Sequence, residues 1–173
     1  MKQIIINDNN LSKQDVDYEV IRVKGLVINS KKEILLIENN HTFQFPGGHF
    51  RKGESLESCL SREIAEELGV DLKINKGPFM MITTYDNDYF KSGSKVINKI
   101  YYFVVKTDIT PDISRLNLDA TEKETDFNIW KIKLNDLDSF LNKCLNDGTI
   151  DANIGREMLL VINEYNNLFG GIL

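Results

Sequence analysis

Three glutamates lie within one and a half turns of one predicted helix, and this feature constrains the chain more than any other. The helix begins near Ser55 and carries Glu63, Glu66 and Glu67. Glu63 and Glu67 are four residues apart, a spacing at which like charges cost a helix about 0.2–0.5 kcal/mol. The pattern therefore predicts a compensating positive charge beside the helix.

The same helix is amphipathic, and two of the glutamates fall on its apolar side. At about 100° per residue, Glu63 and Glu67 lie within the arc set by Cys59 and Leu60, whereas Glu66 lies just outside it. Uncompensated charges are unstable in a partly buried position. A divalent cation would resolve both problems, and oxygen ligands favour Mg²⁺ or Mn²⁺ over zinc. Because protein-bound magnesium commonly shares its coordination with phosphate oxygens, the pattern points to phosphate chemistry.

The composition is that of an ordinary globular protein and gives no sign of a nucleic-acid or membrane surface. The 173 residues fit one domain spanning 1–173, and the net charge is −5. The chain has no excess of basic residues that would indicate a nucleic-acid partner, although one local basic patch would be enough to bind nucleic acid. No apolar run approaches the roughly 20 residues needed to cross a bilayer, and the first ten residues are too short for a signal-peptide core. We expect a cytoplasmic protein with no membrane partner.

The two cysteines, Cys59 and Cys144, form no CxxC pair. Both are expected to be free thiols in a reducing compartment. Cys59 is also expected to be buried, because it lies on the apolar stripe of the glutamate-bearing helix.

The order of predicted elements is mostly strands, with one central helix and helices at the end. Hydrophobic periodicity and turn residues predict strands at 20–28, 34–37, 42–45, 79–85, 96–105 and 127–134, and helices at 55–68, 134–145 and 151–168. The segment 107–125 is polar and predicted to be irregular. This order favours an α+β fold over a regular βαβ repeat.

The residues around the glutamates resemble the Nudix box, G-x5-E-x7-R-E-U-x-E-E-x-G-U, in which U is aliphatic. Every specified position is filled, by Gly48, Glu54, Arg62, Glu63, Ile64, Glu66, Glu67, Gly69 and Val70. At average residue usage a chance match is rarer than about one in a million. The resemblance implies the Nudix fold, a mixed β-sheet sandwiched between α-helices.

The resemblance also implies a reaction, hydrolysis of a nucleoside diphosphate linked to a moiety X. It implies Mg²⁺ as cofactor, with Mn²⁺ as a substitute. By similarity to the family, Glu66 and Glu67 would bind metal and the carbonyl of Gly47 would complete a metal shell. Glu63 would be a further ligand or the base that activates water.

Further roles implied by the resemblance lie outside the glutamate cluster. Glu54 and Arg62 would form a bracing ion pair. Many family members recruit one more glutamate from a later loop, for which this chain offers Glu122 and Glu124. We favour Glu124 because it is nearer the following strand. Arg51 occupies a position at which the family often has glutamate, which puts one extra metal contact in doubt.

Three residues are candidates for substrate binding: Phe45, His49 and Tyr85. Aromatic rings can stack on a nucleobase, and Phe43, Phe50 and Tyr89 are further candidates. Packing in the core is the alternative for each ring, and a plain strand histidine is the alternative for His49.

The favoured hypothesis is a pyrophosphohydrolase acting on a small-molecule nucleotide. The sequence PGGH…GES resembles MutT-type enzymes and favours a (d)NTP, while ADP-ribose, dinucleoside polyphosphates and nucleotide sugars stay open. A catalytically silent nucleotide sensor is a second hypothesis, weakened by the intact glutamates. RNA decapping is a third, weakened by the acidic balance. A homodimer also stays open.

Overall fold

A mixed sheet flanked by helices on both faces forms the fold. The computed structural model describes residues 1–88, 91, 93–118 and 123–170. The strands within these ranges are β1 (Lys2–Ile6), β2 (Tyr18–Ile28), β3 (Glu33–Asn39), β4 (Thr42–Gln44), β5 (Met80–Asn87), β6 (Lys95–Lys106) and β7 (Phe127–Lys133). The α-helices are α1 (Leu56–Leu68), α2 (Leu137–Asn146) and α3 (Ala152–Phe169). The predicted α+β class is confirmed.

The described strands form one sheet in the order β1-β5-β6-β2-β3-β4, and β7 pairs with β3. β2 and β6 are parallel and pair along the whole of β2. β1 and β5 are also parallel, and the remaining pairs are antiparallel. β2 therefore lies inside the sheet, between β6 and the strand pairs built on β3.

The glycine loop after β4, residues 46–50, takes over as the neighbour of β2. β2 and β3 share only the Ile28–Ile34 pair before they diverge. Along the freed edge, Gly25 N donates to the carbonyl oxygen of Pro46 at 2.8 Å, and the loop continues antiparallel to β2 from there. The sheet thereby fixes the backbone of this loop.

Side chains alternate along the strands, so each face of the sheet has its own core. One face packs on α1 through Val23, Val27, Leu35, Ile37, Phe103 and Val105, which meet Cys59, Leu60, Ile64 and Leu68. The opposite face packs on α2 and α3 through Leu26, Leu36, Ile82, Ile100 and Tyr102, which meet Leu137, Leu141, Met158, Val161 and Ile162. The sheet is thus sandwiched between helices.

Local sequence fixes both ends of α1. The Ser55 side chain accepts a hydrogen bond from Ser58 N, a standard N-cap. Gly69 has φ 68°, and its N–H donates to the carbonyl oxygen of Ala65. This left-handed conformation favours glycine at a helix end, so the predicted bounds of the helix are confirmed.

β1 is an element that the sequence analysis missed. It is a five-residue strand at the sheet edge, and none of its residues is fully buried. Its pairing partner, β5, lies more than 70 residues away in the chain. Because its burial is slight, the strand lacks the clear alternation of apolar and polar residues that would reveal it. Its pairing with a distant strand cannot be recognised from the local sequence.

Both cysteines are free and buried, and Cys59 lies on the core-facing side of α1 as expected. Burial raises the pKa of the Cys59 thiol to about 12, so the thiol is unreactive at neutral pH. Among the described residues, no helix has the length and apolar character needed to cross a membrane.

A buried charge pair links β2 to α3 on the face opposite α1. Lys24 and Glu157 are only 6% and 8% exposed. The Nζ of Lys24 lies 3.6 Å from Oε1 of Glu157 and 3.4 Å from Oε1 of Gln44. The Tyr102 hydroxyl donates to the same Glu157 oxygen. These contacts satisfy charges that would otherwise be unstable in the core.

The Lys24–Glu157 pair predicts a non-additive effect on stability. Glu157→Leu alone should lower the free energy of unfolding by about 3–5 kcal/mol, because it leaves the Lys24 ammonium buried without its carboxylate. Combining it with Lys24→Met should recover much of that loss, because no buried charge remains. Urea denaturation of the single and double variants measures both effects. Losses that simply add would contradict the pairing.

Candidate functional site

Glu63, Glu66 and Glu67 of α1 lie at the edge of its core-facing side. Glu67 is 2% exposed and Glu63 is 9% exposed, whereas Glu66 is partly exposed. This is the arrangement that the helical spacing predicts.

Arg62 supplies the positive charge that the glutamate cluster requires. Its Nη1 lies 2.7 Å from Oε1 of Glu63 and 3.0 Å from Oε2 of Glu66. Its Nε and Nη2 bind both carboxylate oxygens of Glu54 at 3.2 and 3.0 Å. Nη2 also donates to the carbonyl oxygen of His49 at 3.0 Å. One guanidinium therefore connects the helix, the loop before it and the glycine loop.

Burial and ion pairing have opposing effects on the pKa values of these groups. Burial acts to raise the pKa of Glu54, but hydrogen bonds from Arg62 and from Arg51 N outweigh it and bring the value to about 2. Burial also acts to lower the pKa of Arg62, but its carboxylate partners raise it. The pKa of Glu63 is raised by burial, with Arg62 opposing the shift.

The two glycines allow the loop to approach two neighbours closely: a Cβ on Gly47, which has φ 139°, would lie 2.1 Å from the carbonyl oxygen of Val23 on β2. A Cβ placed on Gly48 would lie 2.6 Å from the carboxylate of Glu63. Gly47 N donates to Oε2 of Glu67 at 2.7 Å. Any side chain at position 48 would therefore displace the Glu63 carboxylate from this arrangement.

The donor chemistry of the cluster fits a hard divalent cation. Carboxylate oxygens of Glu63, Glu66 and Glu67 and the carbonyl of Gly47 are ligands of the kind that Mg²⁺ takes. Within the described ranges, however, no three His, Cys, Asp or Glu side chains converge as a metal site. Glu63 and Glu66 are held by Arg62 instead. A cation that binds them must compete with these ion pairs.

Arg51 places a second cation at the cluster. Its Nη1 lies 3.5 Å from Oε1 of Glu66, and its backbone N donates to Oε1 of Glu54 at 2.6 Å. Its guanidinium is largely exposed. The residue that departs from the common family pattern thus adds positive charge beside one candidate ligand.

Glu124 lies exposed in the turn before β7. β7 begins opposite the end of β3, with Phe127 paired to Asn39. That end of β3 leads into β4 and the glycine loop, so Glu124 lies at the same end of the sheet as the loop. Glu122 lies outside the described residues.

The substrate-binding candidates occupy three different environments. Phe45 is completely buried, with its ring centroid 6.4 Å from that of Tyr102, so the structure favours the core alternative. His49 is exposed within the glycine loop, and its Nε2 accepts from Arg22 Nε at 3.2 Å. Tyr85 is half-buried on β5, at the position opposite Ile97 of β6.

The described members of the remaining aromatic candidates, Phe43 and Phe50, pack with the two cores. Phe43 is buried and packs edge-on against Trp130 and Phe140. Phe50 packs against the core under α1. Tyr89 lies outside the described residues.

Sequence reasoning missed a polar cavity of about 310 Å³ on the face opposite α1. It lies between β5, β6, β2 and the start of α3, and its lining includes Arg22, Thr84, Asp86, Asn98 and Glu157. Charged and polar residues at alternate positions of strands, such as Arg22 and Lys24 in VIRVKG, were the available signal. Such residues can be recognised as parts of one polar region only when the register of the strands is known.

The NUDIX domain family model matches residues 19–143 of this chain. Two solved structures share its fold. A MutT protein from Methanosarcina mazei Go1 has a TM-score of 0.52 at 20% identity, covering 86% of this chain and 95% of that one. A NUDIX hydrolase from Nitrosomonas europaea has a TM-score of 0.53 at 14% identity, covering 85% of this chain and 89% of that one.

A curated relative matches over a shorter stretch. The mRNA-decapping protein OPG122 of variola virus is 35% identical over 74 residues. The match covers 39% of this chain and 27% of the viral protein. This chain therefore corresponds to well under a third of that relative's length.

The family model spans well over half of the chain, and the similar structures have the predicted sheet between helices. The predicted Nudix fold is confirmed. The segment that resembles the Nudix box, Gly48 to Val70, lies within the matched residues, and this chain belongs to the NUDIX family.

Proposed function

We propose that this protein is a Mg²⁺-dependent hydrolase that cleaves a pyrophosphate bond in a nucleoside diphosphate linked to X. The observation that carries the proposal is the pair of buried carboxylates on α1: Glu63 is joined to the glycine loop through Arg62, and Glu67 accepts directly from Gly47 N. Nudix membership supports a hydrolase. A (d)NTP, ADP-ribose, a dinucleoside polyphosphate and a nucleotide sugar are the substrate classes considered.

The carboxylates have distinct proposed roles. Glu66, Glu67 and the Gly47 carbonyl would hold Mg²⁺, with Glu124 as an additional ligand from the turn before β7. Bound Mg²⁺ neutralises phosphate charge and lowers the pKa of coordinated water. Glu63 would be a further ligand or would accept the proton of the attacking water.

Arg62 and Glu54 are proposed to position these groups rather than to react. Arg62 holds the Glu63 carboxylate 2.7 Å away and anchors the loop through the His49 carbonyl. Glu54 fixes the guanidinium by binding it through two oxygens. Among the substrate-binding candidates, His49 and Tyr85 remain, because both have exposed surface.

RNA decapping is a second candidate, favoured by the stretch similar to a viral mRNA-decapping protein. A cap is a nucleoside polyphosphate joined to RNA, so the same bond class is cleaved. The net charge of −5 weighs against an extended RNA path. We therefore favour a small-molecule nucleotide in a cytoplasmic setting, and a homodimer remains a prediction.

Replacing Glu67 tests the proposed reaction. Glu67→Gln should lower kcat by at least about 100-fold, because loss of a direct ligand exceeds the 10–100-fold typical of an outer partner. Glu57→Gln, the same change on the same helix, serves as the control. Phosphate release would be measured with coupled phosphatases across the four nucleotide classes and capped RNA.

Turnover of one class, abolished in Glu67→Gln and kept in Glu57→Gln, would support the hydrolase. Nucleotide binding without turnover of any compound would contradict it and favour the sensor.

Metal removal gives an independent test. EDTA should abolish hydrolysis, and Mg²⁺ or Mn²⁺ in excess should restore it, because the donors are all oxygen. Mn²⁺ binding, followed by electron paramagnetic resonance, should weaken in Glu67→Gln without any need for turnover. Full activity in EDTA would contradict the metal assignment.

Glu54→Gln tests the bracing role through the pH dependence of stability. The pKa of Glu54 falls from 4.5 to about 2 on folding, so its contribution is complete above pH 4.5 and disappears as the pH falls towards 2. The variant should lose about 1.5–3 kcal/mol at pH 7 and less at pH 3. Urea denaturation at both pH values measures this difference, and an equal loss at both would contradict the role.

A further inference from the structure

The polar cavity opposite α1 is linked to the glutamate cluster through His49. The His49 carbonyl accepts from Arg62 Nη2 at 3.0 Å, on the side of the glutamates. Its imidazole Nε2 accepts from Nε of Arg22, which lines the cavity. His49 and Arg22 therefore connect the glutamate cluster to the wall of the cavity.

The cavity walls offer hydrogen-bond acceptors. Nδ2 of Asn98 donates to Thr84 Oγ1 and to Asp86 Oδ2, each at 3.1 Å. Among the described residues, this leaves Oδ1 of both Asn98 and Asp86 without a hydrogen-bond partner. Glu157 adds a carboxylate, of which only Oε1 is used by Tyr102 and Lys24. A ligand that fits these acceptors must donate several hydrogen bonds.

Arg22 adds donors on the side that faces the glycine loop. Its Nε is used by His49. Within the described part of the chain, its two Nη nitrogens have no hydrogen-bond partner. Burial lowers the pKa of Arg22, and the nearby carboxylates of Glu157 and Asp86 oppose that shift. Arg22 is thus a half-buried cation with free donors at the mouth of the cavity.

These walls select against two kinds of ligand group. A second phosphate inside the cavity would meet the carboxylates of Asp86 and Glu157, while Arg156, which also lines the cavity, is paired with Asp8. A nucleobase would find no stacking surface, because none of the described residues that line the cavity is aromatic. Stacking on aromatic side chains is a common means of holding a base. A group with several hydroxyls both donates to the acceptors and accepts from Arg22.

We propose that X is a sugar and that the substrate is a nucleoside diphosphate sugar. This inference rests on the proposed hydrolase activity. The diphosphate lies at the glycine loop, with Arg22 beside the phosphate next to X. The sugar occupies the cavity, hydrogen-bonded to Asp86 and Asn98. These two residues determine specificity and do not react.

The test compares substrates that share a base and differ in X, namely UDP-glucose with UTP, and ADP-ribose with ATP. The kcat/KM of the sugar compound should exceed that of the triphosphate by at least about tenfold, the effect of one or two hydrogen bonds. Asp86→Asn keeps the side-chain shape, and Asn98→Ala removes the amide. Each should lower that ratio about tenfold, mainly by raising KM for the sugar. Asn167→Ala, an exposed asparagine on α3, is the matched control.

Two failures can be told apart. Triphosphates hydrolysed as well as the sugar compounds, with both lowered equally by the variants, would overturn the sugar assignment and leave the hydrolase intact. If nothing is hydrolysed, calorimetry of the wild type with Mg²⁺ decides instead. UDP-glucose binding more tightly than UDP, with the advantage lost in Asp86→Asn, would support the sugar site. Equal binding would overturn it.

Discussion

The site depends on the ion pairs and hydrogen bonds made by the guanidinium of Arg62. It binds Glu54, Glu63 and Glu66 at once. Its hydrogen bond to the His49 carbonyl joins this cluster to the sheet edge. Without this cation the carboxylates of α1 would repel one another in a poorly solvated place. The planar fork of arginine suits such a multiple contact, which a lysine could not reproduce.

The divergence of β2 and β3 gives this cluster its access to the rest of the molecule. Because the two strands share only one residue pair, residues 46–50 can lie along β2. The loop then has the glutamates of α1 on one side and the polar cavity on the other. Its glycines permit the close approach to Glu63, and His49 contacts both regions. A substrate with two chemically different ends suits this arrangement.

The sequence predicts the local parts of this architecture better than the distant ones. Helix α1, its cap residues and the burial of Glu63 and Glu67 follow from a period of 3.6 residues, which needs no knowledge of the sheet. β1 and the cavity depend on pairings between distant strands, so no local pattern reveals them. Phe45 shows the same limit, since stacking and core packing require the same residue type. The ion pairs of Arg62 with Glu63 and Glu66, two candidate metal ligands, also depend on side-chain geometry. The spacing of residues in the sequence does not determine that geometry.

The central claim is that water attacks phosphorus at the glutamate cluster. Hydrolysis in water enriched in ¹⁸O, followed by mass spectrometry of both products, tests it most directly. The account predicts one ¹⁸O atom per turnover in the phosphate group of one product, and none without enzyme. Label on carbon, or no label in either product, would mean that a different bond is cleaved and would contradict the account.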